Sequence, residues 1–183
     1  MKPLRIVGLV GSLRQGSLNR MLMNALVARA PEGMNITVLE IGDLPHFNGD
    51  LETIPPATVV SAREAVKASD GVLFVTPEYN RSFPGVLKNA IDWLSRPYGA
   101  NTLAGKPVLV TGATGGAVGT ALAQYHLKQV LLYLDTHILG QPELFVGSAE
   151  KKFTDGELTD TDTAEHLTKA LALFAVHAQK FQV

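Results

Sequence analysis

The segment LRIVGLVGSLRQGSLNR, residues 4–20, shows how this chain begins to fold. Leu4–Val10 is short, rich in branched residues and followed by a Gly-Ser pair, which is typical of a buried parallel strand. A helical pattern then runs from Asn19 to Ala30, where Pro31 stops it. A strand that leads through a glycine-containing loop into a helix is the repeating unit of α/β proteins.

The rest of the chain repeats this alternation. Further strands are predicted at Asn35–Ile41, Gly71–Val75 and Lys106–Gly112, with one or two more within Thr136–Val146. Further helices are predicted at Ala57–Ala68, Pro84–Leu94 and Gly119–Leu134, followed by a last helix capped by Asp162 with Glu165. Gly42–Pro56 is predicted to be a loop and Gly147–Thr161 a polar surface excursion. The pattern indicates one α/β domain over residues 1–183, with a parallel sheet covered on both faces.

Composition excludes several classes of function. The chain has 183 residues, a net charge of −1 and no cysteine, so it has no disulfides, no thiolate metal site and no cysteine nucleophile. The near-neutral charge disfavours a nucleic-acid partner. The first apolar stretch is too short for a signal peptide or a membrane span, so we expect a cytoplasmic protein with no membrane partner.

Ligands of parallel sheets bind beyond the carboxyl ends of the strands, where this chain has three unusual loops. The first, Gly11–Asn19, is called the phosphate loop below. It combines glycines, short polar side chains and Arg14 at a helix N-terminus, which suits a phosphate group. Its spacing imitates the nucleotide-binding GxxxxGK[ST] loop but lacks the lysine, so a monophosphate fits better than a triphosphate. The alternative is a capped helix start, with Ser17 as N-cap and Arg14 merely solvated.

The second segment, Pro77–Pro84, is called the ring loop. Asn80 and the nearby backbone can face a planar heterocycle, and Tyr79 and Phe83 can form a wall beside it. The alternative is a plain connection with packing aromatics. In the helix that follows, we assign Ile91 and Trp93 to the core or to a subunit contact.

The third loop, Gly112–Gly119, allows close approach of its backbone to a ligand, although a simple tight turn is equally consistent with it. The chain shows no serine-nucleophile motif, no acid–base pair and no metal-ligand spacing among its five histidines, so no metal site is predicted. Residues suited to a phosphate and a flat ring, without catalytic side chains, indicate a cofactor that carries the chemistry.

Two motifs identify a family resemblance. GSLRQGSLN at 11–19 and PEYNRSFPGVLKNAIDW at 77–93 resemble the NADPH-dependent FMN reductases, the flavodoxin-like quinone, azo-dye and chromate reductases. LAGKPV at 103–108 and QYHL at 124–127 are most similar to the bacterial chromate and quinone reductase branch. The resemblance implies a flavodoxin-like three-layer α/β sandwich with a five-stranded parallel sheet of order 2-1-3-4-5. It also implies FMN as cofactor and ping-pong transfer of two electrons from NADPH or NADH to a small-molecule acceptor, such as a quinone, azo dye, chromate or free flavin. No catalytic side chain is expected.

The same resemblance assigns cofactor-binding residues by position. Around the FMN phosphate it places Ser12, Arg14, Ser17 and Asn19. Along the isoalloxazine ring and ribityl chain it places Pro77, Glu78, Tyr79, Asn80 and Arg81. On the other side of the ring it places Thr114, Gly115 and Gly116. Two positions depart from the family pattern: Arg81 stands where tyrosine is frequent, and TGATGG replaces serine-rich versions of the third loop.

Three further points stay open at this level. A flavodoxin-type electron carrier without turnover is the alternative function, but it would favour an acidic surface and a Thr/Ser-rich phosphate loop. Arg14, Arg20 and Arg81 are candidates for binding the 2′-phosphate of NADPH.

Members of the family form homodimers or homotetramers. The helix at Gly119–Leu134 is apolar on more than one face, which indicates a subunit interface. The alternative is that the Gly147–Thr161 excursion covers this surplus.

Overall fold

The computed structural model describes residues 3–182, which form a parallel sheet flanked by helices. The strands are β1 (Leu4–Val10), β2 (Met34–Leu39), β3 (Gly71–Val75), β4 (Pro107–Ala113), β5 (His137–Ile138) and β6 (Leu144–Val146). The sheet order is β2-β1-β3-β4-β5, which confirms the predicted order. The final position is shared, because β5 and β6 both pair in parallel with β4. Gly140 and Pro142 lie between these two short strands, where both residue types interrupt sheet pairing.

Within residues 3–182, five α-helices flank the sheet: α1 (Leu18–Ala28), α2 (Ala57–Ala68), α3 (Gly85–Leu94), α4 (Ala121–Tyr133) and α5 (Thr161–Gln179). The predicted cap of α5 is wrong. Asp160, with an extended backbone, is the N-cap, and its carboxylate accepts a hydrogen bond of 2.9 Å from the Thr163 N–H. Asp162 lies inside the first turn and therefore cannot cap it. Hydrogen bonds from Thr163 and Lys152 lower the pKa of Asp160 to about 2.

The core forms one cluster on each face of the sheet. One cluster includes buried residues of α2, α3 and α4, among them Leu127 and Leu131. Ile91 and Trp93 belong to it and are each only 1% exposed, which confirms their assignment to the core. The other cluster includes buried residues of α1 and α5, among them Leu22 and Phe174. Both faces of the sheet are therefore covered, as the alternating pattern predicted.

The Gly147–Thr161 segment contains a 3₁₀ turn at Ala149–Lys151 and an antiparallel hairpin of β7 (Phe153–Thr154) and β8 (Glu157–Leu158). Its buried residues join the α1/α5 cluster, not the α4 side of the sheet. Four large apolar side chains of α4 stay exposed in this chain: Leu122, Tyr125, Leu132 and Tyr133. The alternative that the excursion covers the apolar surplus of α4 is therefore wrong. No helix within residues 3–182 is long and apolar enough to cross a membrane.

Candidate functional site

The phosphate loop, the ring loop and the third loop meet at one edge of the sheet. The Gly11 N–H donates to the Val75 carbonyl, and the Thr76 N–H donates to the Thr111 carbonyl, each at 2.9 Å. These bonds continue the strand pairing beyond β1, β3 and β4, so the three loops leave the sheet side by side. They enclose a cleft of about 180 Å³.

Most of the predicted site residues line this cleft. They are Ser12, Arg14, Ser17, Asn19, Pro77, Glu78, Tyr79, Thr114 and Gly115, and Leu18, Ala113 and Glu150 complete the lining. Asn80, Arg81 and Gly116 do not line it. The structure thus brings residues from three distant segments of the chain together, as expected from the carboxyl ends of adjacent parallel strands.

The phosphate loop places hydrogen-bond donors at the start of α1. Ser17 is the N-cap, and its Oγ accepts a hydrogen bond of 3.3 Å from the Arg20 N–H, so the capping interpretation is confirmed. Capping leaves the hydroxyl proton of Ser17 free to donate to a ligand. The first-turn N–H groups of a helix lack intrahelical acceptors and, with the helix dipole, favour an anion. A capped helix start and an anion site are therefore compatible here.

The three arginines considered for anion binding differ in their surroundings. Arg20 forms a bidentate ion pair with Glu40, at 2.8 and 2.9 Å, so it is committed to that contact. The guanidinium of Arg81 lies 3.9 Å from Oε1 of Glu78, which is a long ion pair, and the Arg81 side chain is 78% exposed. The exposed Arg14 lines the cleft and makes no hydrogen bond or ion pair within residues 3–182. Arg14 is thus the cation of the cleft that is available to a ligand.

Asn19 is buried and holds two loops together. Its Nδ2 donates to the Ala113 carbonyl, and its Oδ1 accepts from the Ala113 N–H, both at 2.9 Å. The side-chain amide therefore fastens the phosphate loop to the end of β4. This contact spans 94 residues of sequence, which is why the local motif could not reveal it.

The ring loop contains a tight turn. The N–H groups of Tyr79 and Ser82 each donate to the other residue's carbonyl at 2.9 Å. The central residues Asn80 and Arg81 have φ values of 51° and 64°, the combination found in type I′ turns. Asparagine adopts this conformation readily, whereas arginine does so at a cost.

The two aromatic residues of the ring loop differ. Tyr79 is half-exposed and lines the cleft, and its role as a wall beside a ring stays a prediction. Phe83 is 8% exposed and packs in the core, so the prediction that it forms a wall is wrong and the packing alternative holds. Its neighbours in that core lie on other elements, which the local sequence does not reveal.

The ring loop is attached to α4 at two points. The Ala123 N–H donates to Oε2 of Glu78 at 3.1 Å. Ser82 Oγ and His126 Nδ1 share a hydrogen bond of 2.8 Å, and the rings of Phe83 and His126 meet edge to face at 5.3 Å. Sequence reasoning noted the QYHL segment only as part of a resemblance and missed this contact.

The third loop approaches the rest of the site closely. A side chain at Gly112 would collide with the Thr76 carbonyl and Thr120 Oγ1, so glycine is required there. Ala149 donates to the Thr114 carbonyl at 3.0 Å, which brings the following Glu150 to the cleft. Glu150 was missed by sequence reasoning, because it lies in a polar excursion with no motif of its own.

Larger cavities lie elsewhere. One of about 750 Å³ lies between residues 141–146 and α5, and two of about 440 and 620 Å³ lie near Lys67 and Lys106. The predicted site residues line none of them. Within residues 3–182, no three His, Asp or Glu side chains are grouped so that they could hold a metal ion. The cleft at the carboxyl ends of the strands is therefore the candidate site because of its position and its lining residues, and not because of its size.

Comparison with known proteins agrees with this geometry. The model of the NADPH-dependent FMN reductase family matches residues 4–151. This chain belongs to that family. It is 43% identical to a quinone reductase of Escherichia coli strain K12 over 98% of each chain. It is 40% identical to a 2-hydroxy-1,4-benzoquinone reductase of Burkholderia sp over 94% of each chain.

A solved structure shows the same fold. A flavoenzyme NAD(P)H:acceptor oxidoreductase from Paracoccus denitrificans superimposes with a TM-score of 0.91 at 42% identity, over 98% of this chain and 100% of that one. The FMN reductase is accordingly an oxidoreductase with a flavodoxin-like fold that uses FMN and NAD(P)H. The predicted family, fold class and cofactors are confirmed.

Proposed function

We propose that this FMN reductase is an NAD(P)H:quinone oxidoreductase with FMN in the carboxyl-edge cleft. The observation that carries the proposal is the position of Arg14, whose guanidinium has no hydrogen-bond or ion-pair partner in the described part of the chain. It lines a cleft formed by a helix N-terminus, buried serines and the ring loop. Relatives over nearly the whole chain are named quinone reductases, which supports the choice of acceptor. Bound FMN would supply the redox chemistry, hydride acceptance from NAD(P)H and transfer of two electrons to the acceptor, and the chain's own residues would hold and orient it.

The residues of the cleft fit one end of the flavin better than the whole of it. A cleft of about 180 Å³ is smaller than the roughly 300–1,000 Å³ typical of small-molecule pockets. We therefore assign the phosphate to Ser12, Arg14, Ser17 and the first turn of α1, with Asn19 holding the loop in place. We assign the ring to Pro77–Arg81 and Thr114–Gly116, most of which line the cleft, whereas Asn80, Arg81 and Gly116 lie beyond its lining. The side-chain amide of Asn80 has no hydrogen bond within residues 3–182 and is available to the ring.

The chain contributes binding and orientation, and no side chain of the site needs to act as an acid or base. Tyr79 is half-exposed and Arg81 mostly exposed, so one open side is available to both NAD(P)H and the acceptor. A shared side predicts ping-pong kinetics, because the two substrates must then take turns. Quinones are the proposed class; azo dyes, chromate and free flavin are further acceptors to test.

The apolar face of α4 supports assembly into a homodimer or homotetramer. Leu132 and Tyr133 are 69% and 82% exposed, whereas Leu131 is buried in the core. Leu132→Glu is therefore the variant that tests the interface, because a charge at Leu131 would disrupt folding instead. Light scattering should show wild-type oligomers and dissociated Leu132→Glu. A wild-type mass near 19.6 kDa with full turnover would reject assembly. A cytoplasmic location stays a prediction from the sequence.

The function itself is tested by steady-state oxidation of NADPH and NADH with and without benzoquinone, using protein loaded with FMN or with FAD. We expect FMN to bind more tightly than FAD, because the cleft has room for one terminal phosphate. We also expect benzoquinone to accelerate NAD(P)H oxidation strongly, with parallel double-reciprocal plots. FMN binding without turnover would favour an electron carrier. Equal or tighter binding of FAD would contradict the assigned phosphate site.

A further inference from the structure

We propose that His126 is the positioning residue of the ring loop. This inference rests on the proposed function, since it assigns the ring loop to the flavin ring. His126 lies on α4 and its Nδ1 shares a hydrogen bond of 2.8 Å with Ser82 Oγ. Ser82 in turn closes the tight turn through both of its backbone bonds to Tyr79. The imidazole therefore holds one end of the turn that carries Asn80 and Arg81.

The two contacts with α4 act on opposite sides of the turn. Glu78, just before the turn, accepts from the Ala123 N–H, and Ser82, at its end, is bonded to His126. Ala123 and His126 are three residues apart and hence neighbours on one helix face. The two contacts hold both ends of the turn against α4. They therefore fix the position and orientation of the turn relative to the cleft.

The turn needs such support. Asn80 and Arg81 are exposed and both have positive φ, a conformation that is unfavourable for arginine. Within residues 3–182, neither of these two side chains forms a hydrogen bond with the protein, although Arg81 lies 3.9 Å from Glu78. His126 is itself exposed, so its ring contributes little to the core and its loss should leave the fold intact.

The geometry of the contact selects an informative set of variants. Asparagine can place an amide where Nδ1 of histidine lies, whereas the longer glutamine side chain reaches the Nε2 position instead. His126→Asn should therefore keep the bond to Ser82, and His126→Ala and His126→Gln should lose it. Ser82→Ala should reproduce His126→Ala, and the double variant should add little to either. His166→Ala, which removes an exposed histidine of α5, is the matched control.

Hydrogen exchange of the apo-protein is the first readout, and it does not depend on flavin. Loss of one hydrogen bond of ordinary strength predicts about 3- to 10-fold faster exchange of the Tyr79 and Ser82 amides in His126→Ala and His126→Gln. His126→Asn and His166→Ala should exchange like wild type. Wild-type exchange rates in His126→Ala, or no rescue by His126→Asn, would overturn the proposal.

The second readout uses the FMN-loaded enzyme. We expect His126→Ala to lower kcat/KM for benzoquinone about 3- to 10-fold and to shift the flavin absorption spectrum, while the FMN dissociation constant changes less than about threefold. A loosened turn with unchanged kinetics and spectrum would overturn the positioning role. If the wild-type protein bound no FMN, the proposed function would fail, while the exchange data on apo-protein would still decide whether His126 holds the turn.

Discussion

The phosphate loop is fastened to the central sheet, whereas the ring loop is fastened to a helix at its flank. Asn19 ties the phosphate loop to the last residue of β4, inside the protein. The ring loop depends on contacts from Glu78 and Ser82 to α4, and its tip is exposed. Sheet cores are the most stable parts of a domain, and exposed turns are among the least stable.

Because of this difference, we expect the two loops to have different roles in the proposed site. A preorganised phosphate loop binds its ligand without a large ordering cost, so it should determine affinity. An exposed turn is easier to displace or to substitute, so it should determine reaction rate and acceptor preference. Changes to the phosphate loop should therefore appear in FMN dissociation constants, and changes to the ring loop in kcat/KM.

The largest effect is expected for Asn19→Ala. This change leaves the buried N–H and carbonyl of Ala113 without their side-chain partner. At about 1–3 kcal/mol for each of the two buried unsatisfied groups, the free energy of unfolding should fall by about 2–6 kcal/mol. Urea denaturation measures it. Asn24→Ala, at an exposed position of the same helix, is the matched control and should not lower the free energy of unfolding; an equal loss in the two variants would show that the two bonds do not hold the loop.

Arg14→Ala should come next, and it should act on binding alone. A charge-assisted hydrogen bond contributes about 1.5–3 kcal/mol, so FMN affinity should fall roughly 10- to 150-fold. The melting temperature of the apo-protein should not change, because Arg14 is exposed and its side chain makes no hydrogen bond or ion pair within residues 3–182. Arg14→Lys should recover part of the affinity. An unchanged FMN dissociation constant would contradict this role and would show that Arg14 is merely solvated.

Arg81→Gly tests the ring loop, and we expect this change to stabilise the protein. Asn-Gly is the favoured sequence of a type I′ turn, and glycine removes the penalty of arginine at a φ of 64°. We expect the free energy of unfolding to rise by about 0.5–1 kcal/mol. The KM for NADPH should rise relative to that for NADH if Arg81 meets the 2′-phosphate. Unaltered stability would show that the turn is not strained.

Glu150→Gln should have the smallest effect. A carboxylate at the cleft repels a phosphate, and an exposed charge pair contributes about 0.2–1 kcal/mol. Its removal should tighten FMN binding about 1.5- to 5-fold, less at high salt. Glu165→Gln on α5 serves as the control and should leave binding unchanged. Weaker binding in Glu150→Gln would mean that the carboxylate accepts a hydrogen bond from the ligand.

Local sequence was sufficient for some of these features and not for others. The position of the three loops and the Ser17 cap follow from patterns within a few residues of each other, and the strand order follows from the family resemblance. The role of Asn19 and the contact between His126 and Ser82 depend on residues that lie 94 and 44 positions apart in the sequence. The burial of Phe83 depends on a core assembled from several elements. Glu150 reaches the cleft only because Ala149 bonds to Thr114. Such contacts arise from packing and carry no local pattern.

The division of work between the two loops is tested most directly by titrating FMN and riboflavin into wild type, Arg14→Ala and His126→Ala. Riboflavin lacks the phosphate, so Arg14→Ala should lose affinity for FMN roughly 10- to 150-fold and leave riboflavin binding nearly unchanged. His126→Ala should bind both flavins within about threefold of wild type. An equal loss for FMN and riboflavin in Arg14→Ala, or a loss in His126→Ala as large as in Arg14→Ala, would contradict the account.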